Sequence, residues 1–142
     1  MPWHARLQLD YHRDPTISAD AGAAPRTLAR FLHNGPLRIL QSMYPEGNAV
    51  CHNVLVHPPG GLVGGDTLEI QVSAATGTHG LLTTPGATRF YRSDGAVALQ
   101  DTQIHLAAGA RLEWLPLETL CYSGCQAENR PQATLDAGAE ML

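Results

Sequence analysis

Apolar and polar positions alternate most clearly near the start of the chain. In the stretch "ARLQLDY", Ala5, Leu7, Leu9 and Tyr11 fall on one side and Arg6, Gln8 and Asp10 on the other. A period of two sends one row into a core and the other into solvent, which predicts a half-buried strand. Residues 13–26, "RDPTISADAGAAPR", carry no such period and predict a loop. Thr27–Leu32 reads as a short strand or a turn of helix, "NGP" at 34–36 as a turn, and "LRILQSMY" as a strand ended by "PEGN".

From residue 50 the pattern repeats. "TLEIQVSAATGTHGLLTT", "TQIHLAAGARLEWLPL" and "QATLDAGAEML" each hold a β-like run, a short step into a glycine, and a second β-like run. The glycines are Gly77, Gly109 and Gly138, so the steps are 32 and 29 residues. A period near 30 predicts stacked hairpins in a repeating architecture, because a tight turn between strands needs a residue that tolerates φ > 0. Long amphipathic helices are absent. The expectation is a single all-β domain over residues 1–142, a solenoid-like stack or layered sheet with few short helices. "LDAGAEML" stops just past its turn glycine, in what reads as mid-strand. That predicts a C-terminally truncated chain with an unpaired, aggregation-prone sheet edge.

Composition narrows the function classes. A chain of 142 residues, 44% hydrophobic and 15% charged, is globular rather than disordered. A net charge of −4 speaks against nucleic acid or an anionic membrane as partner. All nine basic residues are arginine. The lack of lysine excludes a Schiff base and a phosphate-loop lysine. No stretch reads as a signal peptide or a membrane span. Three cysteines without a secretory signal predict free thiols in a reducing cytoplasm.

The densest local signal is "VHPPGGLVGGDTLEI", Val56–Ile70. Gly60 and Gly65 have the glycine spacing of a phosphate loop, but Asp66 stands where lysine is required and a strand-like run follows instead of a helix. A compact turn launching a strand is the simpler reading. His52, His57, His79 and His105 lack the tight spacing of a cupin metal site and read as surface or hydrogen-bonded imidazoles. Cys121 and Cys125 have a gap found between zinc ligands, but there is no second pair, so two small buried thiols is the plainer assignment. Asp66, Glu69, Glu113, Glu118 and Glu128 lie in or beside apolar runs. Such carboxylates usually face solvent, yet lining an internal channel they would attract a divalent cation. Arg89, Phe90, Tyr91 and Arg92 follow a Pro-Gly turn and have the composition of a protein interface, or of an ordinary strand with one buried aromatic.

Four blocks together, "GPLRILQSMYPEG" (35–47), "CHNVLVHPPGGLVGGDTLEI" (51–70), "LLTTPGATRFYRS" (81–93) and "LEWLPLETLCYSGCQAENR" (112–130), resemble the urease accessory protein UreD family, also called UreH. Residues 1–34 resemble it more loosely, and the chain resembles the family's N-terminal half. The resemblance implies a repetitive, superhelical β fold and a role that is not enzymatic: a chaperone in the cytoplasm for nickel insertion into urease. It implies UreF, the GTPase UreG through UreF, and apo-urease as partners. It also implies transient Ni2+ rather than a tightly bound cofactor, with Asp66, Glu69, Glu113, Glu118 and Glu128 as candidate lining of a nickel passage. Cys121 and Cys125 fall inside the last block but are not among the residues that carry the resemblance, and Cys51 has no assigned role. Two other readings stay open: a cupin-like β metalloenzyme, which would hold metal tightly, and a fragment without function of its own.

Overall fold

The structure is a computed structural model that describes residues 1–17, 22 and 25–142. Among the described residues it contains twelve strands and no helix. The chain is mainly β, as the alternation predicted.

The front sheet holds β1 (His4–Arg13), β2 (Thr27–Asn34), β5 (Thr67–Ala74), β8 (Ala98–Leu106) and β11 (Ala127–Leu135), in the order β11-β8-β5-β1-β2. The back sheet holds β3 (Arg38–Ile39), β4 (Val50–Val56), β6 (His79–Thr83), β9 (Arg111–Leu115) and β12 (Glu140–Met141), in the order β12-β9-β6-β4-β3. A side sheet pairs β7 (Thr88–Phe90) with β10 (Thr119–Cys121). Within each large sheet four strands run parallel, and one antiparallel strand, β2 or β3, closes the same end.

The alternation in β1 works as the sequence suggests: Ala5, Leu7, Leu9 and Tyr11 are all buried. Behind them stand matching rows, since Leu7 pairs with Ile70 and Leu9 with Val72, which in turn pairs with Ile104. Full burial of one such aliphatic side chain contributes roughly 1.5–3 kcal/mol. The outward rows are polar. Gln8, Gln71, Gln103 and Gln132 stand in register across four strands. This explains how a mostly parallel sheet, a type usually covered on both faces, keeps one face in water.

The glycine periods are coil lengths. Thr67 pairs with Leu99 and His79 with Arg111, both 32 positions on, while Ala98 pairs with Ala127 and Arg111 with Glu140, both 29 on. The expectation of stacked hairpins is corrected here. β5 and β6 flank Gly77 but lie in different sheets, and each pairs in parallel with its counterpart in the next coil. The turn is a corner of a solenoid. It redirects the chain from one sheet to the other, so the two flanking strands bury their apolar rows against each other across the core instead of sharing a ladder.

"LRILQSMY" does not form one regular strand. Ile39 pairs with Leu55 and Met43 with His52, so Leu40–Ser42 holds one residue more than Asn53–Val54 opposite. This is a β-bulge. It brings Ser42 Oγ within 2.9 Å of the Asn53 side-chain amide, which donates to it. Asn53 is wholly buried and needs such a partner. Thr27–Leu32 belongs to a strand, and the turn at 34–36 is present. The loop expected over 13–26 lies partly outside the described residues.

Candidate functional site

Three return segments, residues 57–66, 84–97 and 116–126, carry the chain from the back sheet to the front sheet. The first is the glycine-rich stretch. It is a rung of the solenoid: Leu62 bridges to Phe90, with the Leu62 amide donating to the Arg89 carbonyl (2.8 Å) and the Tyr91 amide to the Leu62 carbonyl (2.9 Å). Its glycines serve two needs. Gly60 and Gly65 have φ of +76° and +91°, where a side chain is strained. Gly61 and Gly64 provide room instead. A Cβ at Gly61 would lie 2.3 Å from the Tyr91 ring, and one at Gly64 would lie 2.1 Å from Ser93 Oγ.

Asp66 is buried and fully engaged. Its Oδ1 accepts from the Trp3 amide at 2.8 Å and its Oδ2 from the Val63 amide at 3.0 Å. It therefore closes the glycine turn and ties the N-terminal segment to it. Glu69 lies on the outer face of the front sheet, paired with Arg6 Nε at 2.7 Å and His4 Nε2 at 2.9 Å. Its hydrogen bond from Arg6, helped by His4, holds its carboxyl below the usual range despite some desolvation. Glu113 lies on the outer face of the back sheet, 2.9 Å from His79 Nε2. Glu128 lies on the outer face of β11 beside Arg130. Glu118 is exposed in the loop before β10, where its carbonyl accepts from the Thr88 amide. The five carboxylates thus occupy four separate places. Among the described residues no group of three or more His, Cys, Asp or Glu side chains could hold a metal ion.

Three of the four candidate histidines stand beside a carboxylate: His52 Nε2 is 2.6 Å from Glu46, His79 Nε2 is 2.9 Å from Glu113 and His105 Nε2 is 3.5 Å from Asp136, while His57 is half-buried. Asp10, Ser73 and His105 stand in one outward row across three strands. They do not form a serine–histidine pair. Ser73 Oγ donates to Asp10 Oδ1 at 2.5 Å and His105 is turned to Asp136, so no imidazole is aimed at the hydroxyl. The three cysteines are free. Cys51 is buried, with its Sγ 3.5 Å from Asn53 Oδ1. Cys121 is exposed and Cys125 half-buried, which corrects the expectation of two buried thiols: Cys121 continues the inward row of Leu62 and Phe90, but no strand covers it among the described residues. Desolvation and the neighbouring Cys121 push the Cys125 thiol up, away from the thiolate a metal needs.

Of the arginine-aromatic stretch, Phe90 is core, at 1% exposure. Tyr91 lies over Gly61 and stacks on Tyr122, with ring centroids 5.4 Å apart. Arg89 and Arg92 are exposed. Arg89 rims a cleft of about 190 Å³ between the first two return segments. Leu37, Leu68, Ile70 and Trp114 line its apolar part, and His57, Thr84 and Gln100 contribute polar groups. Burial holds the His57 imidazole below its usual range, a shift that the Asp66 charge partly opposes. The cleft was not legible in the sequence, because its wall is assembled from segments separated by up to several coils.

Coils stacked in parallel, with polar rows outside and a cleft at one corner, place the chain among β-solenoid repeat proteins, whose coils chiefly contact their neighbours. Within that class, the family model described as UreD urease accessory protein matches residues 4–142, and the chain belongs to this family. It is 70% identical over 142 residues to the urease accessory protein UreD of Paracidovorax citrulli (strain AAC00-1), covering 100% of this chain and 48% of that protein. The corresponding proteins of Variovorax paradoxus (strain S110) and Polaromonas sp. (strain JS666) are 65% and 63% identical, with the same coverage. The chain spans about half the length of the curated relatives it matches.

Proposed function

We propose that this chain serves in the maturation of urease. In this reading it is a non-catalytic scaffold that assembles with UreF, with the GTPase UreG through UreF, and with apo-urease, and that escorts nickel to the urease active site. The observation that carries the reading is the family match over residues 4–142 together with 70% identity to a urease accessory protein. The chemistry is compatible with an ion that is cargo. Paired imidazole and carboxylate donors such as His79–Glu113 and His4–Glu69 suit a divalent nickel ion, yet two donors hold it loosely enough to release it. Of the five candidate passage carboxylates, Glu69, Glu113, Glu118 and Glu128 have the exposure to meet an ion, whereas Asp66 acts through the fold. The free thiols fit a cytoplasmic setting.

The test is complementation of a urease-positive host deleted for the full-length protein. The expected result is urease protein with little nickel in the deletion strain and restored nickel on complementation, read by elemental analysis of purified urease. Urease that is fully loaded in the deletion strain would overturn the reading. One equivalent of metal retained by the purified protein after dialysis would favour the cupin-like alternative.

A further inference from the structure

We propose that the cleft between residues 56–60 and 84–89 is an anchor pocket for one bulky apolar side chain of a partner protein, whose neighbouring carboxylate pairs with Arg89. The inference rests on the maturation reading and names the contact through which a partner would be held. Three features support it.

The cleft has the right size and lining. An apolar cavity of about 150 Å³ accommodates a benzene, and this one, at about 190 Å³, holds one aromatic or leucine side chain and little more. Leu37, Leu68 and Ile70 are 1–2% exposed and fix its floor.

Its charge is one-sided. Among the described residues, Arg89 is the only charged one in the lining besides a half-buried histidine, and no aspartate or glutamate is among them. The guanidinium makes no ion pair among the described residues, although Glu118 and Asp94 lie in the neighbouring loops. Burial keeps His57 from protonating readily, so it adds a polar but uncharged group. The complementary ligand is apolar with one negative charge.

The surface beyond the cleft is too extended for a small molecule. β7 leads outward from Arg89 to Tyr91, which is stacked on Tyr122 at 5.4 Å, with Val63 exposed on the neighbouring rung. Stacked tyrosines beside an arginine and an apolar hole are the make-up of an interface centre. Val63 and Tyr122 are both exposed large side chains on this side of the structure.

The experiment uses the full-length protein, with purified UreF and apo-urease as the two probes in titration binding. Ala87→Trp fills the cleft and Arg89→Glu reverses its charge; Gln71→Ala, on the front-sheet face, is the control. For one of the two probes, both cleft variants are expected to weaken binding about tenfold or more. The control should bind as the wild type, and all three should keep the wild-type melting temperature. Arg89→Lys, which keeps the charge, should recover part of the loss. Binding within twofold of wild type for both cleft variants, while the wild type binds, would overturn the anchor pocket and leave the maturation reading standing. Loss of self-association in Arg89→Glu with both probes still bound would put a second copy in the cleft and overturn it equally. A wild type that binds neither probe would remove the maturation reading and the anchor pocket with it.

Discussion

At the scale of single residues, the glycine-rich stretch shows that glycines adjacent in sequence can be required for different reasons. Gly61 has no unusual φ; its requirement is space for the Tyr91 ring. Gly61→Ala is therefore expected to lower stability by about 1–3 kcal/mol through overpacking. The same change in a Tyr91→Ala background should cost clearly less, because the clash is gone. Chemical denaturation of the four proteins of this cycle checks it, and a strictly additive cycle would refute the clash. His57 gives a pH signature. Its imidazole is held below the usual value of 6.5, chiefly by burial. The unfolded chain then binds the proton first, so stability falls as the pH drops below about 6.5 and levels off once the folded-state pKa is passed. His57→Leu should flatten that fall, seen as a smaller difference between urea midpoints at pH 7.5 and 5.5. Sequence alone made Asp66 visible as a poor phosphate ligand. Its actual partners, the amides of Trp3 and Val63, were not visible, because one of them lies 63 positions away.

At the scale of elements, the most regular feature is the corner turn. The Thr78, Ala110 and Ala139 amides each donate to the carbonyl three residues earlier, at 3.0–3.1 Å, and the glycine at the third position of each turn has φ between +71° and +78°. That geometry is the reason the glycine spacing could be read directly as a coil period. What the spacing could not reveal is whether the flanking strands pair with each other, since a hairpin and a corner ask for the same glycine. Nor could the bulge at Leu40–Ser42 be foreseen, because it depends on burying Asn53 from the opposite strand. Gly109 isolates the backbone term, since a Cβ there meets nothing within 4 Å. Gly109→Ala should cost about 1–2 kcal/mol from the left-handed conformation alone. Asp66→Ala removes two amide hydrogen bonds to a carboxylate at the start of β5 and should cost about 1.5–3 kcal/mol. It should also expose the N-terminal segment to proteolysis at Trp3. Full stability with lost urease activation would instead give Asp66 a direct part in nickel transfer.

At the scale of the whole molecule, the two complete coil steps differ by three residues, 32 against 29, and the difference is not spread evenly. The corner turns have one length throughout. The return segments absorb the difference: residues 91–97 in one coil correspond to 122–126 in the next, which removes two, and 84–87 correspond to 116–118, which removes one. The reason is the side-chain period. A strand of the large sheets slipped by one residue would turn its buried row outward and its polar row inward. In β9 this would carry Leu112 into solvent and Arg111 and Glu113 into the core. A return segment only has to reach the next strand, and lengthening a surface loop by one residue costs little in closure entropy. A glycine inserted between Asp94 and Gly95, both exposed, is therefore expected to change stability by less than about 1 kcal/mol. A glycine inserted between Ala108 and Gly109 breaks the corner hydrogen bond and shifts β9 against β6. It should cost several kcal/mol, since it buries charges without partners. Urea denaturation of the two insertions in the same protein makes the comparison. Equal losses would mean that the register is set by the return segments, and that the constant corner length is incidental.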